Sequence, residues 1–185
     1  CDAWGNLEYD TAQVLALAYS ATGDPELHDA MVAAARHFAD VDRIHFSQHQ
    51  PRWVGMNHPK NPLHFTFELG GVDLGHTWNE GLFSVGRMTG DDRLLRAGQE
   101  IADYLVRRRQ SGVGFRGNPR QWGWPQVALV AAYEHTGEQR YREAALWYGH
   151  RGMRSHAPNE LAQWKLGILA EGLAYTDSIA PDAQL

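Results

Sequence analysis

A short turn motif recurs three times in this sequence, each time after a segment whose apolar residues repeat with helical spacing. The motif is Thr-Gly followed by an acidic residue, and its first copy continues into proline. Glycine suits the position just past a helix end, whereas an acidic residue and then proline suit the start of the next helix. The sequence therefore predicts repeated helical hairpins with equivalent turns. The turn glycines are Gly23, Gly90 and Gly137.

The hairpin count defines the predicted fold class. Three hairpins are followed by one more apolar helix, predicted over 160–175. Repeats of this size cannot bury their apolar faces alone, and no segment strongly signals a strand. We expect a single all-α domain over 1–185, made of antiparallel helical hairpins of an (α/α) toroid that forms a partial ring. Apolar faces at the ends of such an array favour self-association or a missing segment that completes the toroid.

Composition and charge exclude several classes of partner. A hydrophobic content of 43% is enough for a core, and the net charge of -5 argues against general binding of nucleic acid or an anionic membrane. The apolar stretches are shorter than the roughly 18 residues that span a bilayer. The single cysteine, Cys1, cannot form an internal disulfide, so a cytoplasmic and an extracytoplasmic compartment both stay open. No signal peptide is expected in this chain.

A long insert at 41–76 separates the first two hairpins. It holds half of the ten histidines, namely His45, His49, His58, His64 and His76. Connections of more than about 15 residues are typically functional or disordered. Histidine can transfer a proton near neutral pH, bind a metal or simply form hydrogen bonds in a polar loop. No H-E-x-x-H spacing is present, so neither a metal nor another cofactor is expected.

The segment that ends the insert combines a helix start with candidate catalytic groups. Thr77 and Glu80 have the spacing of a capping box, in which Thr77 would cap the helix and Glu80 would reach back to Thr77. Glu80 is also kept as a catalytic candidate. His76 directly precedes this helix start, where backbone amides favour an anionic group, and it is the preferred functional histidine.

The start of the first helix places two carboxylates around an aromatic side chain. Glu8 and Asp10 flank Tyr9, and hairpin geometry puts all three at the same rim as His76. Residues at i and i+2 of a helix do not share a face, so at most one of the two carboxylates is expected to point into a cleft. The alternative interpretation is that both simply favour the helix dipole.

Tryptophans recur at the predicted rim and suggest a sugar-binding surface. Trp78, Trp122 and Trp124 are expected to present flat faces on which sugar rings stack. Core packing is the usual alternative for tryptophan. The pair around Gly123 is poorly explained by one apolar stripe, so at least one of them is predicted to line a sugar subsite.

Two sequence stretches carry a family resemblance. Gly75-His76-Thr77-Trp78-Asn79-Glu80-Gly81-Leu82, followed by Thr89-Gly90-Asp91, resembles the exo-rhamnogalacturonan lyase family and related α/α-toroid proteins. Trp4-Gly5-Asn6-Leu7-Glu8-Tyr9-Asp10 and Asp40-Val41-Asp42 fit the same family, and the similarity covers mainly residues 4–110. The resemblance implies a six-hairpin enzyme that cleaves an acidic oligo- or polysaccharide by elimination at a uronic acid residue.

Such an elimination needs three groups. One group neutralises the uronate carboxylate, for which Arg52 or Asn57 is the candidate. A base removes the C5 proton and an acid protonates the leaving oxygen, for which His76 or His58 and then Tyr9 are the candidates. Further expected substrate contacts are Glu8, His64, Trp78, Trp122 and Trp124.

Two other functions fit the same residues. A glycoside hydrolase would need two carboxylates roughly 5 Å or 6.5–9.5 Å apart, depending on mechanism. Its candidates are Glu8, Asp10, Asp73 and Glu80. A non-catalytic helical-repeat module would instead use the aromatic and histidine loops to hold a glycan or a protein.

Overall fold

The computed structural model describes residues 9–48, 51–56, 74–110, 119–155 and 163–181. Across these ranges the chain forms α-helices and two short 3-10 turns, with no strand, and the all-α prediction is confirmed. The helices are α1 (Thr11–Thr22), α2 (Pro25–Asp40), α3 (Glu80–Thr89), α4 (Asp92–Gln110), α5 (Arg120–Thr136), α6 (Gln139–Ser155) and α7 (Gln163–Ile179). The 3-10 turns are Pro51–Trp53 and Leu74–His76. No helix in the described ranges is long and apolar enough to cross a membrane.

The three turn glycines occupy equivalent positions, as predicted. Gly23, Gly90 and Gly137 each follow a helix end and have φ values of 67°, 71° and 72°. Each donates its backbone N–H to the carbonyl four residues earlier. This left-handed conformation carries a steric penalty for any residue with a Cβ, so glycine is the residue that ends a helix this way most cheaply.

The threonine of the motif also has a structural role, which the sequence analysis left unexplained. Its hydroxyl donates to the carbonyl four residues earlier, at 2.9, 2.7 and 2.8 Å for Thr22, Thr89 and Thr136. In the first and third copies the same hydroxyl accepts the backbone N–H two residues later. The side chain thus satisfies backbone groups on both sides of the turn.

The helices form two layers. Within each hairpin the two helices are in contact, and the first helices also contact one another in the order α1, α3, α5, α7. The second helices, α2, α4 and α6, contact one another in the same order. The described core therefore lies between a layer of first helices and a layer of second helices.

Glycine permits an unusually close approach between α5 and α7. A Cβ placed on Gly123 would collide with the backbone carbonyl of Ile168, and one placed on Gly172 would lie 2.6 Å from the carbonyl oxygen of Gly123. Gly152 of α6 similarly abuts Trp122 and Leu169. The absence of side chains at these positions allows the helix backbones to touch.

The first part of the insert folds back on itself against α4. Ile44 donates its N–H to the carbonyl of Met56 at 2.7 Å, and Gly55 donates to the carbonyl of Ile44 at 2.9 Å. Both apolar side chains are buried, and Arg107 of α4 donates to the carbonyl of Val54 at 2.8 Å. The insert therefore begins as an anchored loop on the second layer.

Two sequence expectations need correction here. Helix α3 begins at Glu80 with Asn79 in the N-cap position, so Thr77 does not cap it and the capping-box prediction is wrong. The Asn79 side chain instead donates to the carbonyl of Gly98 in α4 at 2.9 Å. The last helix ends at Ile179, beyond the predicted end at 175, and its predicted start at 160 lies outside the described residues. Only its existence and its apolar character could be predicted from the residue pattern.

Candidate functional site

Asp10 joins the starts of α1 and α3. One carboxylate oxygen accepts the backbone N–H of Gln13 at 3.0 Å, and the other accepts the N–H of Gly81 at 2.8 Å. The first amides of a helix have no partner inside the helix, so a single buried carboxylate here satisfies donors of two helices. A Cβ on Gly81 would collide with this carboxylate, which explains glycine at that position.

Glu80 stands beside this junction as the first residue of α3. Its side chain is partly buried and forms a hydrogen bond with the hydroxyl of Tyr175 from α7. The pKa of Glu80 is raised from the usual 4.5 to about 7, mainly by burial and then by the negative charges of Asp10, Glu171 and Glu134. The hydrogen bond from Tyr175 favours the ionised form and opposes these effects. Glu80 is therefore a carboxylic acid that changes protonation near neutral pH.

The pKa values of Tyr175 and Asp10, which lie beside Glu80, are also raised. Burial and the neighbouring Glu80 raise the pKa of Tyr175 to about 12, so its hydroxyl stays protonated and acts as donor. Burial raises the pKa of Asp10, although the backbone amides of Gly81 and Gln13 oppose this. We call Asp10, Glu80, Glu134, Glu171 and Tyr175 the acid cluster.

Aromatic side chains form the apolar wall next to this cluster. The ring of Trp124 makes edge contacts with Trp78 at 5.6 Å and with Tyr9 at 6.0 Å between centroids. Phe38 of α2 stacks on Trp78, with 6.1 Å between the ring centroids. Tyr9 is the exposed member, at 54% of its surface, whereas Trp124 retains only 5%. The wall thus offers one open aromatic ring to solvent.

The tryptophans predicted to stack on sugars are core residues. Trp78 and Trp124 are buried in this aromatic wall. Trp122 is buried in a separate part of the hydrophobic core, where its ring centroid lies 6.3 Å from those of Trp147 and Tyr148. A buried indole has no free face for a sugar ring, so the stacking role is corrected to packing for all three. The close approach of α5 and α7 around Gly123 explains why large rings surround that glycine.

His76 lies beside the aromatic wall and is buried. It lies in the second 3-10 turn, 6.0 Å from the ring of Trp78, and only 1% of its surface is exposed. A general base must come within hydrogen-bond reach of the proton that it removes. Burial keeps His76 from that contact with a polysaccharide in this conformation, so the structure does not support the preferred role as base, which stays a prediction.

The remaining predicted residues divide into two groups. Arg52 is exposed on the first 3-10 turn, where its charge acts on Tyr104 in α4, so its described neighbours belong to the second layer. The others lie outside the described residues: Glu8, His49, Asn57, His58, His64 and Asp73. The roles of His58 as the alternative base and of His64 as a substrate contact therefore stay predictions.

Two residues that affect the pKa of Glu80, Glu171 and Tyr175, come from the last helix and were not predicted from the sequence. Glu171 and Tyr175 lie one helical turn apart on α7, a spacing that places two side chains on one face. That spacing was a usable signal for a polar patch on an otherwise apolar helix. Nothing in the sequence indicates that this patch faces Glu80, because the contact is made only by packing of α7 against the first layer.

The described residues contain no group of three or more side chains placed to hold a metal ion. Comparison with known proteins gave no relatives. No protein-family profile, curated protein or solved structure matches the chain.

Proposed function

We propose that this protein is a carbohydrate-active enzyme that cleaves a glycosidic linkage, with Glu80 as the proton donor. The observation that carries the proposal is a partly buried carboxyl group whose pKa is raised to about 7 and whose orientation is fixed by Tyr175. A glutamic acid of ordinary pKa is ionised at neutral pH and cannot supply a proton there. Tuning by burial and like charge is the usual way in which a carboxylic acid becomes a general acid.

The environment of Glu80 favours hydrolysis. A hydrolase needs a second carboxylate to activate water or attack the sugar. Both oxygens of Asp10 already accept backbone amides, so Asp10 is better suited to positioning α3 than to reacting. Glu171 and Glu134 are exposed and act electrostatically on Glu80, which makes them the candidates for the second group. Because this cluster is acidic, a neutral sugar ring is favoured at the scissile bond.

Elimination at a uronic acid residue is the second candidate. The exposed Tyr9, held at the edge of Trp124, favours it because a tyrosine hydroxyl can protonate a leaving oxygen. This reaction also needs a cation beside the uronate. Arg52 is the candidate for this group within the described residues, and its described neighbour Tyr104 belongs to the second layer, so elimination through Arg52 requires more rearrangement than hydrolysis.

The proposed architecture is the partial (α/α) toroid. Two layers of helices and three equivalent turns support it. In this arrangement the starts of α1 and α3 form one rim, at which Asp10 and Glu80 meet. Loops at one rim of a helical array are a common place for a binding cleft.

The test is a screen of the purified chain against neutral and acidic polysaccharides, with products analysed by mass. Hydrolysis adds water to the product, whereas elimination gives an unsaturated product that absorbs in the ultraviolet. Glu80→Gln should lower turnover by about 10²-fold or more if Glu80 transfers a proton. Glu26→Gln, an exposed carboxylate at the start of α2, is the matched control and should retain full turnover. Product formation that is equal in both variants would reject Glu80 as the donor.

A further inference from the structure

A second polar site lies between the end of α2 and the first half of α4. It is a cavity of about 230 Å³, smaller than the roughly 300–1,000 Å³ typical of sites for drug-sized ligands. Its volume therefore suits a small ion or one substituent of a larger molecule. Its charged and polar lining residues are Asp40, Arg43, His45, Arg93, Arg96 and Glu100.

Arg43 forms the floor of this cavity. Its guanidinium donates to the carboxylate of Glu100 at 2.7 Å and to the carbonyl of Ala97 at 3.0 Å. Only 5% of Arg43 is exposed, and its Nε lies buried without an acceptor in the described part of the chain. Burial lowers the pKa of Arg43 while Glu100 raises it, and an arginine side chain keeps its charge in proteins.

The contact of Arg43 with His45 fixes the hydrogen on the imidazole ring. A guanidinium Nη of Arg43 lies 3.2 Å from Nδ1 of His45. Arginine can only donate, so Nδ1 must be the acceptor and Nε2 of the neutral ring carries the hydrogen. The exposed His45 thus has an N–H donor at the mouth of the cavity.

The charges of the lining do not cancel. Arg43 pairs with Glu100, and Arg93 pairs with Asp40 at 2.8 and 3.1 Å. Arg93 also lies 3.9 Å from Asp91, which is outside the lining and pairs with Arg36 at 3.3 Å. Arg96 is exposed, and it has no hydrogen-bond or ion-pair partner within the described ranges. Within the lining, three guanidinium groups therefore stand against two carboxylates. The N–H donors of Arg96 are left for a ligand.

We propose that this cavity binds a small oxyanion, either a carboxylate or a phosphate group, through the guanidinium of Arg96 and the Nε2 donor of His45. A carboxylate is planar and a phosphate is tetrahedral, but the oxygens of both accept charge-assisted hydrogen bonds. The site is distinct from the acid cluster and does not depend on the glycan proposal. A sugar acid would supply the carboxylate, and a free or esterified phosphate would supply the alternative.

Calorimetric titration of the full chain with inorganic phosphate and, separately, with glucuronate tests this site. Both titrations are run at constant ionic strength in chloride, so that general screening is the same. Saturable binding of at least one anion is expected. Arg96→Gln should weaken it by about 10-fold or more, because the variant loses charge-assisted hydrogen bonds to the anion. Stronger binding of phosphate or of glucuronate identifies the source of the oxyanion.

Two further variants separate a local site from a general charge effect. Arg154→Gln removes an exposed arginine from α6, outside the cavity lining, and should bind like the unchanged protein. His45→Ala should weaken binding severalfold without unfolding the chain, because His45 is exposed. No saturation with either anion, or equal losses in Arg96→Gln and Arg154→Gln, would overturn the proposal.

Discussion

The carboxylate of Asp10 accepts the backbone amide of Gly81 at 2.8 Å, across a sequence separation of 71 residues. This bond places the first turn of α3 beside the first turn of α1. Glu80 is the residue immediately before Gly81, so the same contact determines where its carboxyl group sits. By joining the starts of α1 and α3, Asp10 also helps to place Glu80 in its partly buried, acidic environment.

Asp10→Ala should destabilise the protein more than loss of an ordinary helix cap. It removes two acceptors and leaves the amides of Gln13 and Gly81 without them. We expect a loss of about 2–3 kcal/mol in the free energy of unfolding, measured by urea denaturation. Asp24→Ala, which removes one exposed cap bond to Glu26, is the control and should cost about 1 kcal/mol. A smaller loss for Asp10→Ala than for Asp24→Ala would contradict the two-helix role.

Gly123→Ala should disrupt the contact between α5 and α7. The added methyl group would collide with the backbone of Ile168, which cannot move without shifting the helix. We expect a loss of roughly 1–3 kcal/mol, seen as a lower thermal midpoint. Gly167→Ala is the matched control on α7, because nothing lies within 4 Å of its added Cβ. It should be neutral or stabilise by up to about 1 kcal/mol, and similar losses in both variants would argue against the close approach.

The local rules of helix chemistry explain what could be predicted from the sequence. Gly23 and Asp24 have roles set by backbone conformation within one turn, and both appear as expected. The boundary at Glu80 was mispredicted because Asp10, a residue of another hairpin, supplies the cap acceptor that Thr77 was expected to provide. Local spacing carries no information on such a distant partner.

In the candidate site too, local features could be predicted from the sequence, whereas contacts between distant helices could not. Tyr9 and Glu80 were selected from their positions at helix starts, whereas the contact of Glu80 with Tyr175 depends on packing of the last helix. His76 and Trp124 were selected for chemistry that needs exposure, and the structure buries them. Residue type and spacing do not distinguish a polar or aromatic side chain at a rim from one in the core beneath it.

The raised pKa of Glu80 should make stability depend on pH in a defined window. A carboxyl whose folded-state pKa exceeds its unfolded value of 4.5 stabilises the fold below pH 4.5, and this contribution is lost as the pH rises through about 7. The difference corresponds to up to about 3 kcal/mol at ~1.4 kcal/mol per pH unit. Relative to Glu80→Gln, the free energy of unfolding should therefore fall between pH 4.5 and 7. A parallel pH profile for the two proteins would contradict this.

Tyr175→Phe should raise the pKa of Glu80 further. The tyrosine hydroxyl donates to the carboxylate and favours its ionised form, so removing the hydroxyl leaves burial and like charge unopposed. The variant retains the aromatic ring, which preserves its packing against the buried apolar residues of the core. Carbon-13 titration of the Glu80 carboxyl reports the shift directly. A pKa that stays unchanged or falls in the variant would show that the hydrogen bond does not act on Glu80.

The most direct measurement of the central claim is the titration of Glu80 in the unmodified protein. The side-chain carboxyl resonance is assigned by its absence in Glu80→Gln and followed from pH 3 to pH 9 at roughly unit intervals. A midpoint near 7 is predicted, because burial and the charges of Asp10, Glu171 and Glu134 all disfavour the ionised form. A midpoint near the usual 4.5 would mean that Glu80 is ionised at neutral pH and cannot be the proton donor.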